Sequence, residues 1–203
     1  MNSNLLFTHY PFISGDRVTL TKVTELDLRS LWEIMSDDEN YRYTPTEAIQ
    51  SKHALQMFYK RIDSLYLEKK RIVLGIYPLE NSSKLVGIAE LSNLNVRASK
   101  IEFSIMLNRS YTGRGLAQSA VKALQKYLFE TIGLNRIEAY VLPTNIHCKR
   151  LLTHCNFTKE GSIREGFYWA DKGIVDLDLY GILAGDYRRA LAEKSSSAKR
   201  FYF

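Results

Sequence analysis

Apolar positions change their spacing several times along the chain, and each change marks an element. "DRVTLTKV" (residues 16–23) alternates apolar and polar side chains, the period of a strand. "TELDLRSLWEIMSD" follows with Leu28, Leu31, Trp32 and Met35 at helical spacing and Thr24 as a cap. "SKHALQMFYKRIDSLYLEKK" places Leu55, Phe58, Tyr59, Ile62, Leu65 and Tyr66 near one face, which predicts a second helix. Three strand-like runs come next, "RIVLGIYPL", "KLVGIAELSNL" and "KIEFSIML". The turns "ENSSK" and "NVRASK" between them predict an antiparallel meander. Gly113 and Gly115 then precede a helix with Leu116, Ala117, Ala120, Val121, Leu124, Tyr127 and Leu128 on one stripe. "NRIEAYVL" reads as a strand and "TNIHCKRLLTHCNF" as a short helix. Residues 157–183 read as a final hairpin turning at Asp171-Lys172-Gly173, and "EKSSSAK" beyond it as a solvated tail. This order is that of a single α+β domain.

Composition narrows the class without naming it. The chain has 203 residues, enough for one sizeable core. Hydrophobic residues make up 45% and charged residues 25%, a globular rather than a disordered balance. No apolar run approaches the roughly 20 residues of a membrane span, and "MNSNLLFTHYPF" lacks the pattern of a signal peptide, so a cytoplasmic protein is expected. Cys148 and Cys155 are the only cysteines. On one helix they stand about 10 Å apart along the axis, too far for a disulfide. The same spacing, with His147 and His154 beside them, works against a metal site, and none is expected. Net charge is +6, which suits an anionic partner: nucleic acid, an acidic surface or a polyphosphate cofactor. The 13 tyrosines are scattered and form no base-stacking strand motif.

The glycine pair carries the sharpest chemical signal. A P-loop needs Gly-x4-Gly-Lys-Ser/Thr, which is absent here. A dinucleotide fingerprint needs Gly or Ala where Gln118 stands, in the first βαβ unit of a parallel sheet. Two readings remain. One is a phosphate cradle of bare backbone N–H groups at a helix N-terminus, with Arg114 adding a cation. The other is a tight strand–helix turn that needs glycine only for its backbone angles.

Residues 112–166 resemble the acetyl-CoA core of the GNAT N-acetyltransferase superfamily, with closest likeness to its ribosomal-protein-type (Rim-type) alanine N-acetyltransferase branch. The pattern Gln/Arg-x-x-Gly-x-Gly/Ala is matched by Thr112-Gly113-Arg114-Gly115-Leu116-Ala117 except at its first position. The later Asn-x-x-small element, the short helix and the Glu-Gly pair read Asn145-Ile146-His147-Cys148, Asn156-Phe157 and Glu160-Gly161. Thr112 stands where Gln or Arg is usual, Cys148 where the branch commonly has Ser, and Asn156 for the usual Gly. Leu152 takes the place of a tyrosine that protonates the leaving thiolate in many relatives. The resemblance implies a GNAT-like (acyl-CoA N-acyltransferase) fold: a central, mostly antiparallel mixed sheet flanked by helices, with splayed strands forming an acetyl-CoA cleft. The domain would cover residues 14–185, with 1–13 as an N-terminal extension and 186–203 as a tail.

The same resemblance implies acetyl-CoA as cosubstrate and a set of contacts to it. Thr112, Gly113, Arg114, Gly115, Leu116 and Ala117 would bind its pyrophosphate. The backbone of Ser104 to Leu107, through Ile105, Met106 and Leu107, would pair with the pantetheine arm, and Asn145 would hydrogen-bond it. Acetyl transfer to an amine needs a neutral nucleophile, a polarised thioester and a proton for the departing thiolate. Glu102 is the first candidate base, with Glu165 and Asp176 second; each is also readable as a solvated or ion-paired strand residue. Cys148 is the candidate proton donor, an ordinary thiol pKa of about 8.5 suiting donation to another thiolate; a plain buried small residue is the alternative. Phe167, Tyr168 and Trp169 either wall the acceptor end or are ordinary strand and core. The acceptor expected is a protein N-terminal α-amine, as of a ribosomal protein. The alternatives are a small amine (polyamine, amino acid or antibiotic) and a non-catalytic CoA- or nucleic-acid-binding module. Neither membrane nor nucleic acid is the expected partner, and a homodimer is left open.

Overall fold

A three-pair parallel seam joins two antiparallel half-sheets. In the computed structural model, which describes residues 5–169 and 171–199, the chain begins with α1 (Leu5–Thr8), β1 (Ile13–Ser14) and β2 (Val18–Lys22). α2 (Leu28–Met35), α3 (Asp38–Tyr41) and α4 (Lys52–Leu67) follow, then the meander β3 (Arg71–Pro78), β4 (Gly87–Asn95) and β5 (Lys100–Leu107). α5 (Leu116–Lys126), extended by a π-helical turn (Tyr127–Ile132), leads to β6 (Arg136–Val141) and α6 (Ile146–His154). The hairpin β7 (Thr158–Trp169) and β8 (Gly173–Leu183) and the helix α7 (Ala184–Lys199) close the chain. The sheet runs β1-β2-β3-β4-β5-β6-β8-β7. Every neighbouring pair is antiparallel except β5 and β6.

Both faces of this sheet are covered, which is why β3 is buried at every position after Arg71. One face carries Ile72, Leu74, Leu91, Ile101 and Phe103 against Leu116, Ala120, Val121 and Leu124 of α5. The other carries Val73, Tyr77 and Ile88 against Leu31 and Ile34 of α2 and Leu55 and Ile62 of α4. The period-3.6 stripes seen in the sequence are the stripes that the sheet buries. Their contribution is large: a fully buried Leu or Ile contributes about 2 kcal/mol.

The ends of the chain depart from expectation. "EKSSSAK", expected as a solvated tail, is helical and continues α7. Ala184 and Tyr187 are buried, the Tyr187 ring stands 5.1 Å from Phe129, and its hydroxyl donates to Glu130 Oε1 at 2.6 Å. Once that first turn is docked, Ala, Glu and Lys extend it at little cost. The N-terminal extension also reaches the core, since Leu6 is fully buried in it and Tyr10 Oη donates to Val73 O at 2.5 Å. Residues outside the expected bounds 14–185 therefore pack with those inside. β1 and α3 carry no period long enough to read from sequence.

α6 is tied to the sheet by one buried carboxylate. Asp178 is 1% exposed. It lies 2.9 Å from Lys149 Nζ of α6 and 2.7 Å from Lys159 Nζ of β7, and it accepts from Ser162 Oγ at 2.6 Å. Burial alone would raise its pKa, but the donors Lys159, Ser162 and Lys149 outweigh it and bring the carboxyl down to about 2. A depressed folded-state pKa gives stability that is present above the unfolded value of about 3.9 and lost as pH falls towards 2. We expect Asp178→Asn to lower stability by roughly 2 kcal/mol at pH 7 and to flatten the acid limb between about pH 4 and 2. Denaturant melts of both proteins across that range check this; parallel acid limbs would show that Asp178 carries no linkage.

Candidate functional site

The glycine loop is built to leave donors unused. Asn108 Oδ1 accepts the N–H of Ser110 at 3.0 Å and starts a short 3-10 turn over Arg109–Tyr111. Thr112 closes it, donating from both its N–H (3.2 Å) and its hydroxyl (2.8 Å) to Arg109 O. Gly113 (φ +73°) and Gly115 (φ +75°) then take left-handed backbone, which costs a side-chain-bearing residue about 1–2 kcal/mol. The next backbone bond is Ser119 N–H to Gly115 O at 3.0 Å. From Gly113 to Gln118, no backbone N–H has an acceptor among the described residues. These donors sit at the positive end of α5, with the Arg114 guanidinium stacked 5.0 Å over the Tyr111 ring beside them. Such a run fits a pyrophosphate. The two readings of the glycine pair are compatible: the angles require glycine, and the angles are what expose the donors.

The cleft beside the loop comes from the interrupted seam. β5 and β6 pair only at Lys100–Arg136, Ile101–Ile137 and Glu102–Glu138. Beyond that, β5 keeps pairing with β4 to Leu107, and β6 keeps pairing with β8 to Val141. Phe103–Leu107 and Ala139–Val141 therefore diverge with unpaired inner edges. Ile105, Met106 and Leu107 all lie on the diverging part of β5. Ile105 and Leu107 pack on the α5 face and Met106 on the α4 face, so the strand offers the cleft its backbone. An extended, amide-bearing arm such as pantetheine fits such an edge.

The candidate base lies where the seam ends. Glu102 is half-buried, and its Oε2 accepts from Asn93 Nδ2 at 2.7 Å across a bulge in β4. Its register partner Glu138 is held at both oxygens, by Lys100 Nζ (2.6 Å) and Arg136 Nε (2.8 Å). Burial alone would raise the Glu138 pKa, and those two cations turn the shift downward. Glu90, on the same face, is raised by burial against the opposing pull of Arg71 at 2.9 Å.

Several expected contacts point elsewhere. The Thr112 hydroxyl is turned into its own turn rather than left free for a ligand. Asn145 caps α6, its Oδ1 accepting the Cys148 N–H at 3.0 Å, which leaves only its Nδ2 to donate outward. Cys148 is half-buried against the α5-side core, and burial pushes its thiol up to about 11. The near match in acidity expected from the sequence is therefore missing. Leu152 is fully buried core. Asp176 accepts the Glu165 N–H at 2.7 Å and pins a bulge at which Glu165 has φ +49°. Strand alternation puts Asp176 on the face opposite Glu102, so these two carboxylates are not brought together with it. The aromatic trio also divides. Trp169 is buried with Leu142 and Leu177, Phe167 stacks 5.5 Å from Tyr140, and Tyr168 is 75% exposed. Arg17, whose Nη1 donates to Arg114 O at 2.6 Å, belongs to the loop as well. No sequence motif marked it, because an arginine after "SGD" looks like any solvated turn.

A family model described as an acetyltransferase (GNAT) domain matches residues 17–158. An uncharacterized N-acetyltransferase, p20, of Bacillus licheniformis is 31% identical over 177 residues, covering 85% of this chain and 96% of that protein. A spermidine N-acetyltransferase from Vibrio cholerae, solved in complex with CoA and spermine, superposes with a TM-score of 0.72 at 22% identity, over 84% of this chain and 97% of the other. The ribosomal L7/L12 alpha-N-protein acetyltransferase RimL gives 0.75 at 13% identity, over 86% and 94%. Among the described residues no helix is long and apolar enough to cross a membrane, and no group of three or more His, Cys, Asp or Glu side chains is placed to hold a metal ion.

Gly113 gives a clean test of the loop, because a Cβ there would meet nothing within 4 Å. Gly113→Ala should cost about 1–2 kcal/mol of stability from backbone strain, a few degrees in Tm. It should also weaken CoA binding about tenfold or more, through displaced N–H donors. Calorimetric titration with CoA checks it; unchanged affinity would make Gly113 a turn residue only.

Proposed function

The chain belongs to the GNAT acetyltransferase family, and we propose that this acetyl-CoA-dependent N-acetyltransferase acts on the α-amine of a protein N-terminus. The observation that carries this reading is the base available to it. None of the histidines of the chain lies on β5 or β6, so proton removal falls to a carboxylate at the end of the seam. A carboxylate suits an amine that is already partly neutral. An α-amine with a pKa of about 8 is roughly a tenth neutral at pH 7, whereas an alkyl amine near 10.4 is neutral in only a few parts in ten thousand.

Glu102 is the base in this proposal. Of the three carboxylates on its face, Glu90 is paired with Arg71 and Glu138 with Lys100 and Arg136, while Glu102 is held by the neutral Asn93. The amine attacks the thioester carbonyl, a C–N bond forms as the C–S bond breaks, and Glu102 receives the proton directly or through a water. Cys148 stays protonated across the working range and is placed here as a hydrogen-bond donor towards the sulfur. With a thiol at about 11 it is a weak acid, so solvent supplies the proton in the end.

The second reading is a polyamine acceptor. It is favoured by the acidic groups Glu33 and Asp37 along an open groove that also includes Trp32, Ser36, Asn108, Arg109 and Ser110. The likeness to a spermidine enzyme supports it too. Against it, Glu33 already pairs with Lys84 at 2.9 Å, and Asp37 caps α3 through the Glu39 N–H.

Two measurements test the proposal. Unblocked peptides should be acetylated with a kcat/KM at least about tenfold above that of spermidine; spermidine ahead of every peptide would install the second reading. Glu102→Gln should lower kcat about a hundredfold at pH 7 with CoA binding retained, and the deficit should narrow above pH 8 as the amine deprotonates by itself. A wild-type rate at pH 7 would remove Glu102 as the base.

A further inference from the structure

Arg17 stands at a junction between the start of the sheet and the glycine loop. Gly15 turns the chain from β1 into β2, with its N–H bonded to Val18 O at 2.8 Å. Its bare Cα lies close against α5: a Cβ there would come 3.0 Å from Ala123 Cβ and 3.2 Å from Ser119 Oγ. That approach lets Ser119 Oγ accept the Arg17 N–H at 3.0 Å, while the Arg17 carbonyl accepts the Leu79 N–H at 2.9 Å. Both polar atoms of the Arg17 main chain are thus fixed. From this base the side chain reaches the loop, where Nη1 donates to Arg114 O at 2.6 Å and lies 3.1 Å from where a Gly115 Cβ would be.

The direction of that bond matters. A trans peptide points its N–H away from its own carbonyl, and the chain has no cis peptide among the described residues. Holding Arg114 O towards Arg17 therefore turns the Gly115 N–H to the opposite side. A flip of this peptide changes ψ of Arg114 and φ of Gly115, and Gly115 accepts both signs of φ, so its backbone offers little resistance. A flip would replace a donor of the cradle with a carbonyl oxygen, which repels phosphate. A guanidinium on that oxygen opposes the flip. It also keeps most of its five N–H donors unspent, at the exposed side of the loop.

We propose that Arg17 is a positioning residue for the pyrophosphate of acetyl-CoA: it locks the Arg114–Gly115 peptide with its N–H presented to the phosphates and adds its own charge beside them. This rests on the loop being the acetyl-CoA cradle. The test compares two ligands on three proteins. Acetyl-CoA and S-acetylpantetheine, which ends short of the pyrophosphate, are titrated against the wild-type chain, Arg17→Met and Arg17→Lys by calorimetry and displacement. Arg17→Met should weaken acetyl-CoA by about tenfold or more and leave S-acetylpantetheine within about twofold, with Arg17→Lys between. Equal weakening of both ligands would mean that Arg17 only supports the fold, and unchanged acetyl-CoA affinity that no clamp is needed; either overturns the proposal. A wild-type protein that bound both ligands equally would bring down the cradle itself, whereas a wild-type preference kept intact in Arg17→Met would bring down only the role of Arg17. If Arg17→Met does not fold, Arg17→Gln takes its place in the same comparison.

Discussion

The parallel seam between β5 and β6 is the constraint on which the rest of the architecture depends. It is three residue pairs long, and charge holds it closed. Glu138 receives Lys100 from one strand and Arg136 from the other, and Arg136 goes on to grip Glu160 of β7 with two bonds of 2.6 Å. With the Glu138 side chain 6% exposed, removing both Lys100 and Arg136 would strand a buried charge and cost about 3–5 kcal/mol. Exposed ion pairs among the described residues, such as Lys22–Asp63, contribute about 0–1 kcal/mol each. One strong, buried point of attachment at one end allows the other end to stay open.

The candidate site is arranged around that open end. The meander brings β5 to the glycine loop, β6 leads into α6, and Asp178 holds α6 down through Lys149. Glu102 approaches from the α4 face and Cys148 from the α5 face, so the gap between the strands is where the two sides of the sheet meet. The loop contributes shape through two left-handed glycines and charge through the head of α5. Fold and site are one construction here: the same interrupted pairing defines both.

Much of this was legible in the sequence, for reasons that can be stated residue by residue. The stripes Leu28–Leu31–Met35 and Leu116–Val121–Leu124 are periodic, and the meander is punctuated by polar turns, so those elements could be read directly. The glycine loop could be placed because its composition is unusual. What could not be read was the direction of individual polar groups. Thr112 and Asn145 are where the family pattern puts them, but each spends a side-chain oxygen on local backbone, which no spacing rule reveals. The acidity of Cys148 depends on what surrounds it, and α7 forms because Tyr187 docks on Phe129, a contact nearly 60 residues apart. Arg17 and Arg114 are farther apart still, and only the folded chain joins them.

The open seam has one more consequence, for solubility. Unpaired strand edges invite association with other chains, and this sheet treats its outer edges accordingly. β1 is only two residues long, and β7 is broken by irregularities at Lys159–Gly161 and Ile163–Phe167 and carries Lys159 and Arg164. The inner edges along Phe103–Leu107 and Ala139–Val141 have no such protection: no proline, no bulge and no lysine interrupts them. In the proposed reading they stay unblunted because the pantetheine arm pairs with them. Their protection comes from facing each other across a gap that closes at the seam. The protein thus carries its unblunted strand edges inside the sheet, turned towards each other rather than outward.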